Sequence, residues 1–146
     1  MSTIAVQRLS DRALLPQRQH DDDAGFDLHA AEAVELPPGA RLAVGCGFAI
    51  AIPPGFAGLI LPRSGMALRA GVTVLNAPGL IDAGYRGELR VLLINHDPVE
   101  SLVINVGDRI AQLVITALPS FSLVECAELP ASARGDGGFG STGRGA

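Results

Sequence analysis

The stretch RLAVGCGFAIAIPPGFAGLIL, residues 41–61, carries the strongest signal for the fold. It contains two apolar runs, at residues 41–52 and 56–61, and Pro53-Pro54-Gly55 separates them. Short apolar runs between proline and glycine are typical of buried β-strands, because proline interrupts a sheet and glycine permits a tight turn. The stretch therefore predicts two consecutive strands joined by a short connection.

The same pattern recurs on both sides of this stretch. One helical signal covers residues 64–70, with Ser64 as the candidate N-cap. Many short strands with a single short helix predict an all-β, jelly-roll-like subunit. The further strand signals lie at residues 4–8, 25–30, 72–75, 89–96, 100–106, 109–116 and 121–126.

The composition restricts the chemistry that the chain can perform. Its 146 residues suit one domain, and 48% of them are hydrophobic. A formal net charge of −4 without a basic run provides no surface for nucleic acid. The basic residues are eleven Arg and no Lys, which excludes a P-loop lysine and a Schiff-base lysine. Phosphate would therefore be bound by Arg side chains and backbone amides.

The leader, membrane and cysteine patterns predict a cytoplasmic protein. No charged and then apolar leader opens the chain, and no apolar run approaches about 18 residues, the length of a membrane span. Cys46 and Cys126 have neither CxxC nor disulfide-framework spacing, so we expect reduced, packed thiols. His20, His29 and His96 form no pair with metal-ligand spacing, which argues against a zinc site built from histidines.

Two segments place polar groups where an anion could bind. In residues 62–67, the guanidinium of Arg63, the hydroxyl of Ser64 and the amides around Gly65 lie at the predicted junction of strand and helix. Alternatively, the Ser-Gly pair only begins the helix. Gln112 is a polar amide within an apolar strand, and it needs either a structural partner or a ligand.

Residues 76–87, NAPGLIDAGYRG, predict a hairpin with Ala83-Gly84 at its turn and Gly84 at positive φ. Asp82 and Tyr85 would then lie close together at the tip. The carboxylate is a candidate base for activating water, and the ring offers a flat face to a sugar or a nucleobase. The alternative is that Asp82 only supports the turn.

The C-terminal composition changes abruptly after residue 131 to Ser, Gly, Arg and Asp. With Phe139 as its one large apolar side chain, this stretch cannot bury a core and should be mobile. It is either a disordered tail or an arm in which Arg134 and glycine amides wrap a polyphosphate.

Taken together, these segments resemble the five ordered motifs of the trimeric dUTPase family (deoxyuridine 5'-triphosphate nucleotidohydrolases). The resemblance implies a metal-dependent hydrolase that converts dUTP to dUMP and pyrophosphate, so limiting dUTP and supplying dUMP for thymidylate synthesis. It implies a homotrimer with shared active sites, a β domain at residues 1–133 and a flexible arm at 134–146. The matching segments are residues 24–28, 62–67, 79–87, 107–113 and 134–143.

The resemblance also implies a role for individual residues. Asp82 matches the catalytic carboxylate that activates water, and Asp27 matches a residue linked through water to Mg²⁺, which the substrate triphosphate otherwise holds. Phe139 would stack on uracil and Tyr85 would lie under the deoxyribose. The full set of expected substrate-binding residues is Arg63, Ser64, Gly65, Asn76, Gly79, Ile81, Tyr85, Gln112, Arg134, Phe139, Gly140, Ser141 and Thr142.

One departure and two alternatives qualify the resemblance. Many family members have Asp where this chain has Gly84, and we expect this to affect the turn rather than the chemistry. A dCTP deaminase of the same fold would need a catalytic Glu beside the pyrimidine, where this chain presents Asp82. A trimer that senses dUTP without hydrolysing it would need neither this carboxylate nor an intact arm.

Overall fold

Antiparallel strands make up almost all of the regular structure of the protein. The computed structural model describes residues 3–138. The all-β prediction with one short helix is confirmed. The elements are β1 (Ala5–Arg8), β2 (Phe26–His29), β3 (Val34–Leu36), β4 (Arg41–Ala51), β5 (Phe56–Leu61), α1 (Ser64–Ala70), β6 (Val72–Val74), β7 (Gly79–Ile81), β8 (Glu88–Asn95), β9 (Leu102–Ile104) and β10 (Arg109–Ala117).

Two four-stranded sheets enclose the core. One has the order β1-β4-β8-β6 and the other β2-β10-β5-β7, while β3 and β9 form a separate pair. Strand side chains alternate between the two faces of a sheet. In β8 this puts Leu89, Val91 and Leu93 inside and Glu88 and Arg90 outside. Each fully buried aliphatic or aromatic side chain stabilises the fold by about 1.5–3 kcal/mol relative to an exposed one.

An irregularity interrupts the pairing of β4 with β8 between Gly45 and Ala49. Gly47 has a φ of 70°, a conformation that disfavours every residue with a Cβ atom. A Cβ atom at Gly47 would also lie 2.9 Å from the Cβ atoms of Ala13 and Ala31. The irregularity therefore depends on glycine, both for its backbone angle and for space.

The predicted strand at residues 121–126 is not present. Phe121, Leu123 and Val124 are at least 80% exposed, and no strand lies beside them within the described chain. A strand requires a hydrogen-bonding neighbour, so β-forming residues alone do not make one. The apolar side chains of this segment therefore have no sheet to pack against within residues 3–138.

The predicted hairpin at Ala83-Gly84 is also wrong. Strand β7 pairs with β5, whereas β8 pairs with β4 and β6, so the connection joins two different sheets. The N–H of Tyr85 donates to the carbonyl of Asp82 at 3.0 Å and closes a turn. Gly84 does not adopt positive φ, because a connection between sheets need not match the twist of a two-stranded ribbon.

Helix α1 differs from its prediction in the cap. Arg63 is the N-cap residue, without a side-chain hydrogen bond, and Ser64 is the first helical residue. The short strands β3 and β7 were not predicted, since three residues are too few for a clear alternating pattern.

The described part of the chain contains no helix with the length and apolar composition to cross a membrane.

The two cysteines are free, as predicted, but only one is packed. Cys46 is buried, while Cys126 is exposed because it lies in the uncovered C-terminal segment. Burial raises the pKa of the Cys46 thiol to about 12, and the nearby carboxylate of Glu88 adds to this effect. A thiol with such a pKa contains almost no thiolate at neutral pH.

We therefore expect Cys46 to resist alkylation in the folded protein. In a Cys126→Ser variant, iodoacetamide at pH 8 should add no carboxamidomethyl group until urea unfolds the chain, as measured by mass spectrometry. The same variant in urea serves as the control and should take up one group. Rapid labelling of the folded variant would contradict the burial of Cys46.

Candidate active site

Two cavities contain most of the residues predicted to bind substrate. The first, the β7 cavity, has a volume of about 250 Å³ and the second, the α1 cavity, about 300 Å³. The β7 cavity is lined by Ile60, Asn76, Gly79, Leu80, Ile81, Asp82, Tyr85, Glu88, Arg90 and Leu92. The α1 cavity is lined by Gln19, Asp23, Ala24, Gly25, Asp27, Arg63, Ser64, Gly65 and Gln112.

Tyr85 is fixed in the β7 cavity by its hydroxyl group, which donates to the carbonyl of Glu88 at 2.9 Å. The ring passes directly over Gly87. A Cβ atom at Gly87 would lie 2.5 Å from the Tyr85 oxygen and 2.7 Å from Cζ. The absence of a side chain at Gly87 therefore permits the observed position of the ring.

Asp82 is exposed at the edge of the β7 cavity, at the start of the turn that Tyr85 ends. The guanidinium of Arg86 supports this turn, since its Nη1 donates to the carbonyls of Ala83 at 2.6 Å and Tyr85 at 2.8 Å. The turn thus presents a carboxylate and an aromatic ring to the same cavity, an arrangement suited to a base beside a bound nucleoside.

Ion pairs hold the guanidinium of Arg63 at the α1 cavity. The Asp27 carboxylate lies 3.7 Å from Nε of Arg63 and 3.3 Å from Nη1 of Arg109. Nη1 of Arg63 also donates to the carbonyl of Arg109 at 3.1 Å. Asp27 has a side-chain exposure of 13%, so solvent screens these contacts less than it screens ion pairs on an open surface.

Gln112 has the structural partner that its position required, because Nε2 donates to the carbonyl of Pro62 at 3.0 Å. The amide group carries a second hydrogen that remains for a ligand in the α1 cavity. Its Oε1 approaches Gly25 so closely that a Cβ atom there would lie 2.7 Å away. Both readings of Gln112, as a structural residue and as a ligand-binding residue, are therefore compatible with its position.

His29 lies close to these charges on β2. Burial lowers the pKa of His29 below its ordinary value of 6.5; Asp27 opposes this shift, and Arg109 and Arg63 add to it. Nδ1 of His29 is buried and has no hydrogen-bond partner within residues 3–138. The imidazole is therefore neutral at neutral pH and contributes no positive charge beside Arg63.

The two cavities share no lining residue, and the register of the sheet explains why. Strand β5 pairs with β10 on one side and with β7 on the other, and Gln112 lies opposite Leu61 whereas Ile81 lies opposite Gly58. From ordinary strand spacings, the Cα atoms of Gln112 and Ile81 are roughly 14 Å apart. Within one chain, the residues around Asp82 in the β7 cavity (the Asp82 group) are therefore separate from the residues around Arg63 in the α1 cavity (the Arg63 group).

The C-terminal candidates are not brought to either cavity. Arg134 is exposed, and its Nε donates to the carbonyl of Gly137 at 2.7 Å within its own turn. Phe139, Gly140, Ser141 and Thr142 lie outside the described residues.

Metal-binding chemistry in the described chain is limited to a few oxygen donors. No three His, Cys, Asp or Glu side chains converge on one position within residues 3–138. Asp23 and Asp27 line the α1 cavity, and carboxylate oxygens are ligands that Mg²⁺ accepts, commonly together with water and substrate phosphates. These few oxygen donors therefore fit a metal ion that is held mainly by a bound phosphate compound and only partly by the protein. The predicted role of Asp27 stays a prediction.

Sequence reasoning missed three charged residues around the cavities. Arg109 pairs with Asp27, and Glu88 and Arg90 line the β7 cavity. The alternation of residues 88–95 contained the signal for the last two, because Glu88 and Arg90 occupy the face opposite Leu89, Val91 and Leu93. The pairing of Arg109 with Asp27 joins residues that are 82 positions apart, and local patterns do not contain it.

Sequence comparison shows which known proteins this chain resembles. The sequence model of a family described as dUTPase matches residues 11–143. The deoxyuridine 5'-triphosphate nucleotidohydrolase of Mycobacterium marinum is 54% identical over 147 residues, which cover 97% of this chain and 96% of that protein. That of Mycobacterium leprae is also 54% identical, over 98% of this chain and 97% of its own.

Solved structures resemble the whole described fold. A mutant dUTPase of Staphylococcus bacteriophage 80alpha, solved with dUpNHpp, has a TM-score of 0.91 and 32% identity, over 99% of this chain and 100% of that chain. A mutant dUTPase from phage phi11 of S. aureus has a TM-score of 0.81 and 30% identity, over 87% and 98% of the two chains. The latter was described for its coordination of a structural Mg(II) ion.

We expect Gly87→Ala to displace the ring of Tyr85. The chain contains one Tyr and no Trp, so tyrosine fluorescence reports on Tyr85 alone. Acrylamide should quench this fluorescence more strongly in Gly87→Ala than in the parent protein. Gly84→Ala is the matched control, because a Cβ atom there meets nothing within 4 Å, and its quenching should not change. Equal quenching in both variants would refute the steric argument.

Proposed function

The chain belongs to the dUTPase family, and we propose that Asp82 is the base that activates the attacking water in its reaction. The protein hydrolyses dUTP to dUMP and pyrophosphate. The observation that supports the role of Asp82 most strongly is that its carboxylate and the ring of Tyr85 open into one cavity. A base placed beside the deoxyribose can reach water next to the α-phosphate.

The β7 cavity binds the nucleoside in this proposal. Asn76 and the backbone around Gly79 and Ile81 offer donors and acceptors that can pair with uracil. The hydroxyl of Tyr85 donates to the carbonyl of Glu88, and the ring held in this way would lie under the deoxyribose and exclude a 2′-hydroxyl. Sites that leave polar groups unpaired on a wrong substrate discriminate strongly, so cytosine and ribose are both rejected here.

The α1 cavity binds the triphosphate. Arg63 presents a forked guanidinium that suits phosphate oxygens, and Asp27 and Arg109 hold it in place. Ser64, Gly65 and the free amide hydrogen of Gln112 add neutral donors. These groups lower the negative charge that would repel both Asp82 and the incoming water.

Asp27 would hold Mg²⁺ through water beside the bound triphosphate. The ion would neutralise part of the phosphate charge when it is bound. The α1 cavity suits this arrangement because its carboxylates, Asp23 and Asp27, lie among phosphate-binding groups and do not form a closed cage.

The reaction is a direct displacement at phosphorus. Asp82 accepts a proton from water as the water oxygen forms a bond to the α-phosphorus. The bond from that phosphorus to the oxygen bridging to the β-phosphate breaks, and pyrophosphate leaves with the bonding electron pair. The residues of this chain contribute by orienting the water and by aligning the triphosphate with it.

A homotrimer of jelly-roll-like subunits completes the site. The separation of the two cavities favours an active site in which the Asp82 group of one subunit meets the Arg63 group of another. The exposed C-terminal segment supplies the apolar surface that subunit contacts require. Its exposed apolar residues are Leu118, Phe121, Leu123, Val124 and Leu129.

The arm at residues 134–146 closes over the bound nucleotide in our proposal. Arg134 and the glycine amides bind the phosphates, Phe139 stacks on uracil, and Gly140, Ser141 and Thr142 add donors. Ordering so many glycines costs conformational entropy, so closure depends on contacts with a full triphosphate.

The proposed compartment is the cytoplasm, where a reducing environment suits the free thiols Cys46 and Cys126.

Asp82→Asn should lower the turnover of dUTP by about 10²-fold or more, the usual effect of losing a general base. Binding of dUTP should persist, because the amide keeps the size of the side chain. Pyrophosphate release and calorimetric binding measure the two effects. Asp22→Asn, in an exposed loop, is the control and should hydrolyse dUTP normally. Normal turnover in Asp82→Asn would exclude Asp82 as the base.

A chain that ends at Ala133 should keep its oligomeric mass and its melting temperature but lose most of its dUTP hydrolysis. The removed residues are rich in glycine and have one large apolar side chain, Phe139, so we expect the fold to form without them, yet they would close over the substrate. A chain that ends at Gly143 retains the arm motif and should stay active. Light scattering, calorimetry and pyrophosphate release give the three readouts. Full activity of the shorter chain would show that the arm is a passive tail.

A further inference from the structure

A charged cluster that includes two residues of the β7 cavity, Glu88 and Arg90, contacts the irregular part of β4. Glu32, in the loop between β2 and β3, does not line the cavity. Its Oε1 accepts the N–H of Gly45 at 2.6 Å and lies 3.3 Å from Nη2 of Arg90. Glu32 therefore connects the backbone of β4 to a side chain that does line the cavity.

Arg90 bridges two carboxylates in this cluster. Its Nη1 lies 3.1 Å from Oε2 of Glu88, and its Nη2 also donates to the carbonyl of Ala43 at 2.6 Å. Oε1 of Glu88 accepts the N–H of Gly47 at 2.9 Å. The guanidinium thus separates two like charges, each of which also accepts a backbone amide of the irregular segment.

Gly45 makes this convergence possible. A Cβ atom at this position would lie 2.6 Å from Oε1 of Glu88 and 3.2 Å from Oε1 of Glu32. Because no side chain occupies that space, both carboxylates approach the strand from the same side. The cluster is therefore built into the backbone of β4 and is not a chance meeting of surface charges.

The cluster connects to the nucleoside through Glu88. The side chains of Glu88 and Arg90 line the β7 cavity, and the carbonyl of Glu88 accepts the hydroxyl of Tyr85. A shift of Glu88 would move the ring that we place under the deoxyribose. Two carboxylates set the position of Arg90, and the position of Arg90 in turn affects the shape of the cavity that it lines.

We propose that Glu32 is a positioning residue for nucleoside binding, which acts through Arg90 without touching the substrate. This inference rests on the proposed function of the β7 cavity. The side chains of Arg90, Glu32 and Glu88 are 45%, 45% and 31% exposed, and solvent-exposed ion pairs contribute little to overall stability. The effect is therefore on the shape of the cavity and not on folding.

Glu32→Gln is the informative substitution, since the amide oxygen can still accept the N–H of Gly45 while the charge facing Arg90 is lost. Arg90 then has Glu88 as its one remaining carboxylate partner in the cluster. The nucleoside occupies the same cavity in the bound ground state and in the transition state, so the substitution should weaken its binding equally in both. We therefore expect the KM for dUTP to rise about three- to fivefold with kcat unchanged.

The experiment measures kcat and KM for dUTP in the full-length protein, Glu32→Gln, Arg90→Gln and the double variant, together with their melting temperatures. Glu35→Gln, an exposed carboxylate on β3 outside the cluster, is the matched control and should behave like the parent. If Glu32 acts through Arg90, Glu32→Gln should have no further effect on KM in the Arg90→Gln background.

Two results would overturn the inference. One is an unchanged KM in Glu32→Gln, whether or not its melting temperature falls, since a structural role alone would affect only the latter. The other is a rise in KM of equal size in the presence and absence of Arg90. Failure of the parent protein to release pyrophosphate from dUTP would instead refute the proposed function itself.

Discussion

Strand β5 holds the β7 cavity and the α1 cavity apart, because it pairs with β10 on one side and with β7 on the other. The register places Gln112 opposite Leu61 and Ile81 opposite Gly58, and hydrogen-bonded strands cannot slide without turning their side chains to the other face. Arg63, Ser64 and Gly65, which follow β5, are therefore held at a fixed distance from the Asp82 turn that follows β7. This separation supports our proposal that a second subunit completes the site.

Arginine organises the charges in both cavities. In the α1 cavity, Asp27 lies between Arg63 and Arg109; at the β7 cavity, Arg90 lies between Glu32 and Glu88. A planar guanidinium can bind two acceptors at once in a defined direction, which an ammonium group cannot do. A chain with eleven Arg and no Lys thus uses this geometry to position its own side chains, and in the proposed function the same geometry binds phosphate.

Local patterns predicted most of the strands and the grouping of Asp82 with Tyr85, since alternation and turn residues act over a few positions. They failed where the outcome depends on distant partners. Residues 121–126 have strand-forming side chains but no neighbouring strand in the described chain, and the turn at Ala83-Gly84 joins two sheets. The partners of Asp27 and Arg90 come from strands far along the chain, so no sequence window contains them.

Mixed trimers test most directly whether the two halves of the proposed site, the Asp82 group and the Arg63 group, meet across subunits. Asp82→Asn and Arg63→Gln chains, each carrying a different affinity tag, would be co-expressed, and trimers containing both would be purified. If the halves come from different subunits, each purified mixed trimer regains about one of its three sites, and dUTP hydrolysis recovers far above that of either variant alone. Activity no greater than the sum of the two inactive parents would show that each site lies within one chain.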